Sequence, residues 1–349
     1  MTQSHTAPAG GAFAPTAFAD LNELLADWLK GVRAALGETF VGAWLQGSFA
    51  LGEGHEASDC DFIVAVTEDL DAARQAAIGA LHAEIFARPG RWSRRLEGSY
   101  VPVDILRRLP AGPVEPPGEA PRPNTWRDPS MNTPPLGYPM LFIGAGESVL
   151  VRSEHDNSHV IRWILREHGL VLSGPSAAEL IDPVTPEALR SEVRGVMRRL
   201  TPMFVNDPKA VDSRWLQAFL VILYVRILHT LQTGVVASKG VAAQWGLETL
   251  EARWKPLIEA ADALRKLPPE DRQGPADRAV VAETLAFLRQ ALRTEAKMTE
   301  QRAKAARQGP DPSHSGTGPR FSPKNAQHGR GPGRSIAPPT RPLGGGRRV

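Results

Sequence analysis

Gln46-Gly47-Ser48-Phe49-Ala50, followed at Asp59 by Asp59-Cys60-Asp61-Phe62-Ile63-Val64-Ala65-Val66, is the stretch that decides the reading of this chain. Two aspartates stand two residues apart just as an apolar run begins, ten residues after a Gly-Ser pair. In a strand, residues i and i+2 point to the same face. Asp59 and Asp61 are therefore expected to converge on one hard cation, with Cys60 turned the other way into the core as a small hydrophobe. Mg2+ takes oxygen ligands and is typically held by one or two carboxylates plus substrate phosphates. Gly47-Ser48 follows the apolar run Phe40–Leu45 and opens an expected short helix, Phe49–Glu53. A glycine there lets backbone amides approach a phosphate, a helix start favours an anion, and the serine adds a hydroxyl donor. Bare Asp-x-Asp pairs also occur in turns and on surfaces, so the setting between two strands carries the signal.

Working outward, Leu21, Leu24, Leu25, Trp28, Leu29, Val32 and Leu36 recur with a helical period between Asp20 and Leu36. Asp20 is a plausible N-cap and Gly37 a plausible stop. Asp61–Val66 reads as a buried strand, Asp71–Phe86 as a helix and Leu96–Leu106 as a further strand. Pro110–Pro139 is too rich in proline for regular structure. From His159 to about Ala296 the chain reads as helical, with Arg214–Gln232 apolar on nearly every side and so expected at the centre of a second lobe.

Glu97 supplies a third carboxylate on the strand expected after the 71–86 helix. A cation polarises a phosphate but does not deprotonate an attacking hydroxyl. A nearby carboxylate can act as general base, worth about 10²–10⁴-fold. Taken alone, Glu97 reads better as a surface carboxylate. His155-Asp156-x2-His159 puts two histidines at i, i+4, a possible metal face, but no third ligand is apparent and a polar helix start is the simpler reading.

Composition narrows the class. The chain has 349 residues, 42% hydrophobic and 23% charged, with one cysteine, which excludes a disulfide framework and a cysteine metal site. No apolar run is read as reaching the roughly 20 residues of a membrane helix, and no basic-then-apolar leader is read at the N-terminus. A cytoplasmic protein without a membrane partner is the expectation. From Lys297 onward eleven basic residues face two acidic ones, a tail of +9, which leaves −6 on the rest of a chain whose formal charge is +3. An acidic body argues against nucleic acid as the main ligand and suits a cationic one, leaving only the basic tail to bind RNA or an acidic membrane surface.

These motifs together resemble the aminoglycoside adenylyltransferases that modify streptomycin and spectinomycin, whose N-terminal lobe is a nucleotidyltransferase of the DNA-polymerase-beta superfamily. The resemblance covers about residues 20–265. Gly47-Ser48-x10-Asp59-Cys60-Asp61 matches the family's metal and phosphate motif, and Leu96-Glu97-Gly98-Ser99-Tyr100 the strand with its base. Leu165-Arg166-Glu167-His168-Gly169 to Ile181-Asp182-Pro183 resembles the opening of the helical domain. Arg226-Ile227-Leu228-His229-Thr230-Leu231-Gln232-Thr233-Gly234, with Ala237-Ser238-Lys239 and Ala242-Ala243-Gln244-Trp245, is similar to the C-terminal domain of these enzymes.

The resemblance implies an adenylyltransferase that uses Mg2+-ATP and a small-molecule hydroxyl acceptor. Asp59 and Asp61 would hold metal and Glu97 would be the base. Gly47, Ser48, Ser58, Arg226 and Lys239 would contact the nucleotide, and Asp212 the acceptor. The family's second acceptor-facing acid falls on Leu216, which favours spectinomycin over streptomycin, and an aspartate there is expected to improve streptomycin use. An arginine inside the apolar run Phe219–Leu231 is costly unless paired, either by phosphate or by an acid of its own lobe. Lys239 reads otherwise as a solvated loop lysine.

The expected architecture is an α/β nucleotidyltransferase domain (18–110), with a mixed sheet and flanking helices, and an all-α C-terminal domain (140–296). A proline-rich loop (111–139) joins them, between a disordered N-terminal segment (1–17) and a basic, mostly disordered tail (297–349), with the disorder expected after about Gln308. Protein adenylylation and a catalytically inactive nucleotide-binding module are the alternatives.

Overall fold

A computed structural model describes residues 13–108 and 139–308. The proline-rich loop, most of the N-terminal segment and the tail beyond Gln308 lie outside the described residues. The chain divides into a unit of residues 1–302, to which everything below belongs, and a second of residues 303–349.

The first half builds a six-stranded mixed sheet of order β5-β4-β3-β2-β1-β6. Helix α1 (Ala19–Leu36) leads into β1 (Phe40–Leu45), a one-turn helix α2 (Gly47–Ala50) and β2 (Cys60–Val66). Helix α3 (Ala72–Ala87) crosses over to β3 (Leu96–Pro102), which runs parallel to β2. The remaining pairings, of β1 with β2, β1 with β6, β3 with β4 and β4 with β5, are antiparallel. Asp71 caps α3, its side chain accepting from the Arg74 N–H, while Asp20 lies inside the first turn of α1 rather than at its cap. Gly37 stops α1 with a φ of +56°, as expected.

Period-two alternation sorts the sheet residues between two cores. Cys60, Phe62, Val64 and Val66 face α1 and α3, packing with Trp28, Val32, Ile78 and Phe86. Ile63 and Ala65 face the opposite side with Trp44, Val101 and Leu165. Continuing that alternation backward puts Asp61 on the face of Ile63, away from the α1/α3 core.

Three differences from the sequence reading have local causes. β3 ends at Pro102, whose missing N–H stops the ladder, and Val103–Arg107 turns into a short helix, α4, despite its strand-like residues. Met140–Ile143 (β4) and Val151–Ser153 (β5) form a hairpin whose turn uses Gly146 at φ +78°. After α5 (His159–His168), Leu170–Ser173 pairs with β1 as edge strand β6 instead of continuing a helix. The sheet thus draws three of its six strands from residues 140–173, which the sequence reading placed in the helical lobe.

A short helix, α6 (Ala177–Leu180), leads into the helical lobe: α7 (Pro186–Asn206), α8 (Arg214–Thr233), α9 (Lys239–Thr249), α10 (Lys255–Arg265) and α11 (Arg278–Gln308). α8 is its centre, between a Ser213 N-cap and Gly234 in the left-handed region. By length and composition α8 could cross a bilayer, contrary to the sequence reading. Its apolar residues are instead buried against α7, α9 and α10. The lobes are joined by Glu192 of α7, which accepts the N–H groups of His159 (2.6 Å) and Val160 (3.2 Å) at the start of α5.

Candidate active site

The parallel register sets Asp61 directly opposite Glu97. In-register neighbours on adjacent strands share a face, so the two carboxylates lie side by side at the head of the sheet. Asp59 is exposed, immediately before the first residue of β2. Gly47 follows β1 with φ +61°, a region that favours glycine, and a Cβ there would overlap Asp61 Oδ2. The Gln46 N–H donates to the Asp61 carbonyl at 2.9 Å, fixing the Gly-Ser turn against the aspartate.

Beneath these groups is Asp156, 1% exposed, whose Oδ1 accepts from Gln46 Nε2 at 3.0 Å and whose Oδ2 accepts from the Ser99 hydroxyl at 2.6 Å. Burial first, then the charges of Asp59 and Asp156, push the Asp61 pKa up to about 6. Burial first, then Asp61 and Asp59, push Glu97 up to about 8. The cluster therefore carries more negative charge than its surroundings compensate. Cys60 points into the α1/α3 core as expected, and burial raises its thiol pKa well above normal.

The helical lobe supplies the opposing charge. Lys239 is the first residue of α9, behind its Ser238 N-cap. Burial and the charge of Arg226 lower its pKa, while the charges of Asp61 and Asp59 raise it. Its side chain is exposed. Arg226 Nε donates to the Ala237 carbonyl at 3.1 Å. Burial lowers its pKa, and the acid that opposes this is Glu53 of the first lobe, not an acid of its own lobe.

Other expected positions are placed differently. The Ser58 hydroxyl accepts from the His55 N–H at 3.1 Å, closing the turn ahead of Asp59. The Ser48 carbonyl accepts from the Glu53 N–H at 2.9 Å. Asp212 is exposed, just before the α8 N-cap, beside a cavity of about 510 Å³ lined also by Met203, Phe204, Asp207 and Lys209. It stands at the other end of α8 from Arg226, about 20 Å along the axis. Leu216 is only 7% exposed and packs in the helical core, so its position is not open to an acceptor.

His155 stacks on Phe142 (ring centroids 4.6 Å apart), whereas His159 Nδ1 lies 3.1 Å from Glu192 Oε2, so the two histidines do not share a site. Among the described residues no three His, Cys, Asp or Glu side chains could hold a metal by themselves. Two carboxylates completed by phosphate oxygens is the donor set Mg2+ accepts, and the uncompensated charge around Asp61 suits it. Sequence reasoning missed Asp156 and Glu53. Asp156 reads in the sequence only as part of a polar helix start between His155 and His159, Glu53 lies in no motif, and only the fold brings them to the carboxylates and to Lys239.

The C-terminal domain of aminoglycoside adenylyltransferases matches residues 179–291, from α6 into α11. An aminoglycoside (3'')(9) adenylyltransferase of Shigella flexneri is 29% identical over 259 residues, 73% of this chain and 88% of the relative. One from Klebsiella pneumoniae is 36% identical over 110 residues, 31% of this chain and 38% of the relative. Over most of its length the chain is similar to aminoglycoside adenylyltransferases. It is a nucleotidyltransferase.

The fold of this adenylyltransferase is that of the spectinomycin adenyltransferase AAD(9) of Enterococcus faecialis, solved with ATP and spectinomycin. The TM-score is 0.53 at 14% identity, covering 78% of this chain and 98% of the other.

Proposed function

We propose that the protein transfers AMP from Mg2+-ATP to a hydroxyl of a small cationic acceptor, an aminoglycoside or aminocyclitol such as spectinomycin. The pairing of Asp61 with Glu97 on adjacent strands, faced by Lys239, carries this reading. Asp59 and Asp61 would hold Mg2+, which when bound draws charge from the phosphoryl oxygens.

The chain's own groups do the rest. Gly47 and Ser48 offer a backbone turn and a hydroxyl to phosphate, behind the turn closed by Ser58. Lys239 and Arg226 approach from the other lobe and would stabilise phosphate charge. The acceptor oxygen attacks the α-phosphorus in line, and the bond to pyrophosphate breaks. Glu97 takes the hydroxyl proton. A carboxyl held near pH 8 is a poor base at neutral pH, and positive charge beside it restores the ionised form. Asp212, on an acidic body, would meet a cationic acceptor.

The test is mass spectrometry after incubating the purified protein with Mg2+-ATP and a panel of aminocyclitol antibiotics. An AMP adduct on spectinomycin is expected. AMP found on protein instead would point to a protein acceptor. No adduct, with ATP still bound, would make the protein an inactive nucleotide-binding module.

A further inference from the structure

Glu53 stands in the loop after α2, and its N–H donates to the Ser48 carbonyl at 2.9 Å, tying its backbone to the Gly-Ser turn. Its side chain leaves the first lobe. Oε1 accepts from the Ser238 hydroxyl at 2.6 Å and from the Val241 N–H at 3.2 Å, while Oε2 accepts from the Gly240 N–H at 2.9 Å. Arg265 Nη2 adds a longer ion pair at 3.9 Å. These donors form the first turn of α9, where N–H groups lack helical partners and negative charge is favoured. A Cβ at Gly240 would overlap Glu53 Oε1 and press on Arg265 Nη2, so a side chain there must push the Glu53 carboxylate from this arrangement. Burial raises the Glu53 pKa, but the hydrogen bonds from Ser238 and Gly240 outweigh it and keep the group ionised.

One residue therefore links the Gly-Ser turn, through its main chain, to the turn that carries Lys239, through its carboxylate. We propose that Glu53 is a positioning residue that fixes Lys239 opposite Asp59 and Asp61 and so sets ATP affinity. The inference rests on the proposed function, which gives Lys239 to the nucleotide phosphates. Charge alone makes the opposite prediction: removing a carboxylate near an anionic ligand tightens binding.

The experiment measures ATP dissociation constants by calorimetry with Mg2+ on the full chain. The variants are Glu53→Ala and Gly240→Ala, each with and without Lys239→Met. Gly240→Ala keeps the Glu53 charge and improves helix propensity, so it disturbs only the contact. Both single variants should weaken ATP binding about tenfold or more. Lys239→Met should cost much less in either background than in the wild type, as coupled residues do. Unchanged or tighter ATP binding in both variants, or full additivity with Lys239→Met, overturns the proposal. If Glu53→Ala does not fold, Gly240→Ala decides alone. A wild type that fails to bind ATP sinks the proposed function and this inference together. A wild type that binds it, with unaffected variants, sinks the inference only.

Discussion

Asp61 and Glu97 are register partners on two parallel strands, and after burial the Asp61 carboxylate is the main charge that makes Glu97 costly to ionise. Two acids forced together at a strand terminus are unfavourable for the isolated protein and useful only when positive charge arrives. Asp61→Asn should therefore abolish transfer at saturating Mg2+ while leaving the fold intact. A variant with the wild-type rate would remove the aspartate from the metal site.

Glu97→Gln keeps shape and removes basicity. It should lower kcat by about 10²–10⁴-fold with ATP affinity nearly unchanged, since binding rests on other groups. Single-turnover kinetics with titrated ATP would check this. A collapsed ATP affinity with unchanged kcat would make Glu97 a binding residue.

The same carboxylates make metal-free stability fall with pH. Their folded pKa values, about 6 for Asp61 and about 8 for Glu97, lie above the ordinary carboxylate range. Their contribution is fully present below the unfolded pKa and is lost as pH rises through the folded one. Between about pH 4 and pH 8 they should therefore lower Tm progressively. Glu97→Gln should raise Tm at pH 8 more than at pH 5, by about 2–4 °C for each kcal/mol of repulsion relieved. Thermal scans in EDTA at the two pH values would show it, and equal shifts at both would contradict the electrostatic account.

Gly47→Ala strains a left-handed turn and presses on Asp61 Oδ2. The backbone cost alone is about 1–3 kcal/mol. Denaturant unfolding should register that loss, with transfer falling more steeply than stability because the displaced group is Asp61. Full activity in the variant would show that the Gly-Ser turn tolerates a side chain and does not approach phosphate.

Leu216→Asp, which the sequence alone suggested as a route to streptomycin, now has a different expected outcome. Its side chain packs with the α8 core, so the change should cost about 2–5 kcal/mol from lost packing and a buried acid. Asp212→Asn, at an exposed position, should instead raise the acceptor KM and spare that for ATP. Comparing the two by thermal denaturation and by kinetics separates them. A stable Leu216→Asp protein would mean that the position opens to solvent.

By itself the sequence determined what local rules determine. Alternation after Asp59 made β2, an apolar helical period made α1, and a nearly all-apolar run made α8 the centre of its lobe. That Cys60 turns into the α1/α3 core and Asp61 away from it was legible because strand alternation sets side-chain direction without tertiary knowledge. Only the tertiary structure decided where short segments go. Met140–Ile143, Val151–Ser153 and Leu170–Ser173 are strands because β3 and β1 offer them an edge, a non-local pairing that three or four residues cannot announce. The fold likewise decided that Leu216 is core, and that Asp156 is buried beneath the carboxylates. Glu53 reaches Ser238 across 185 positions of chain, a distance over which charge and hydrogen bonding leave no periodic trace in sequence.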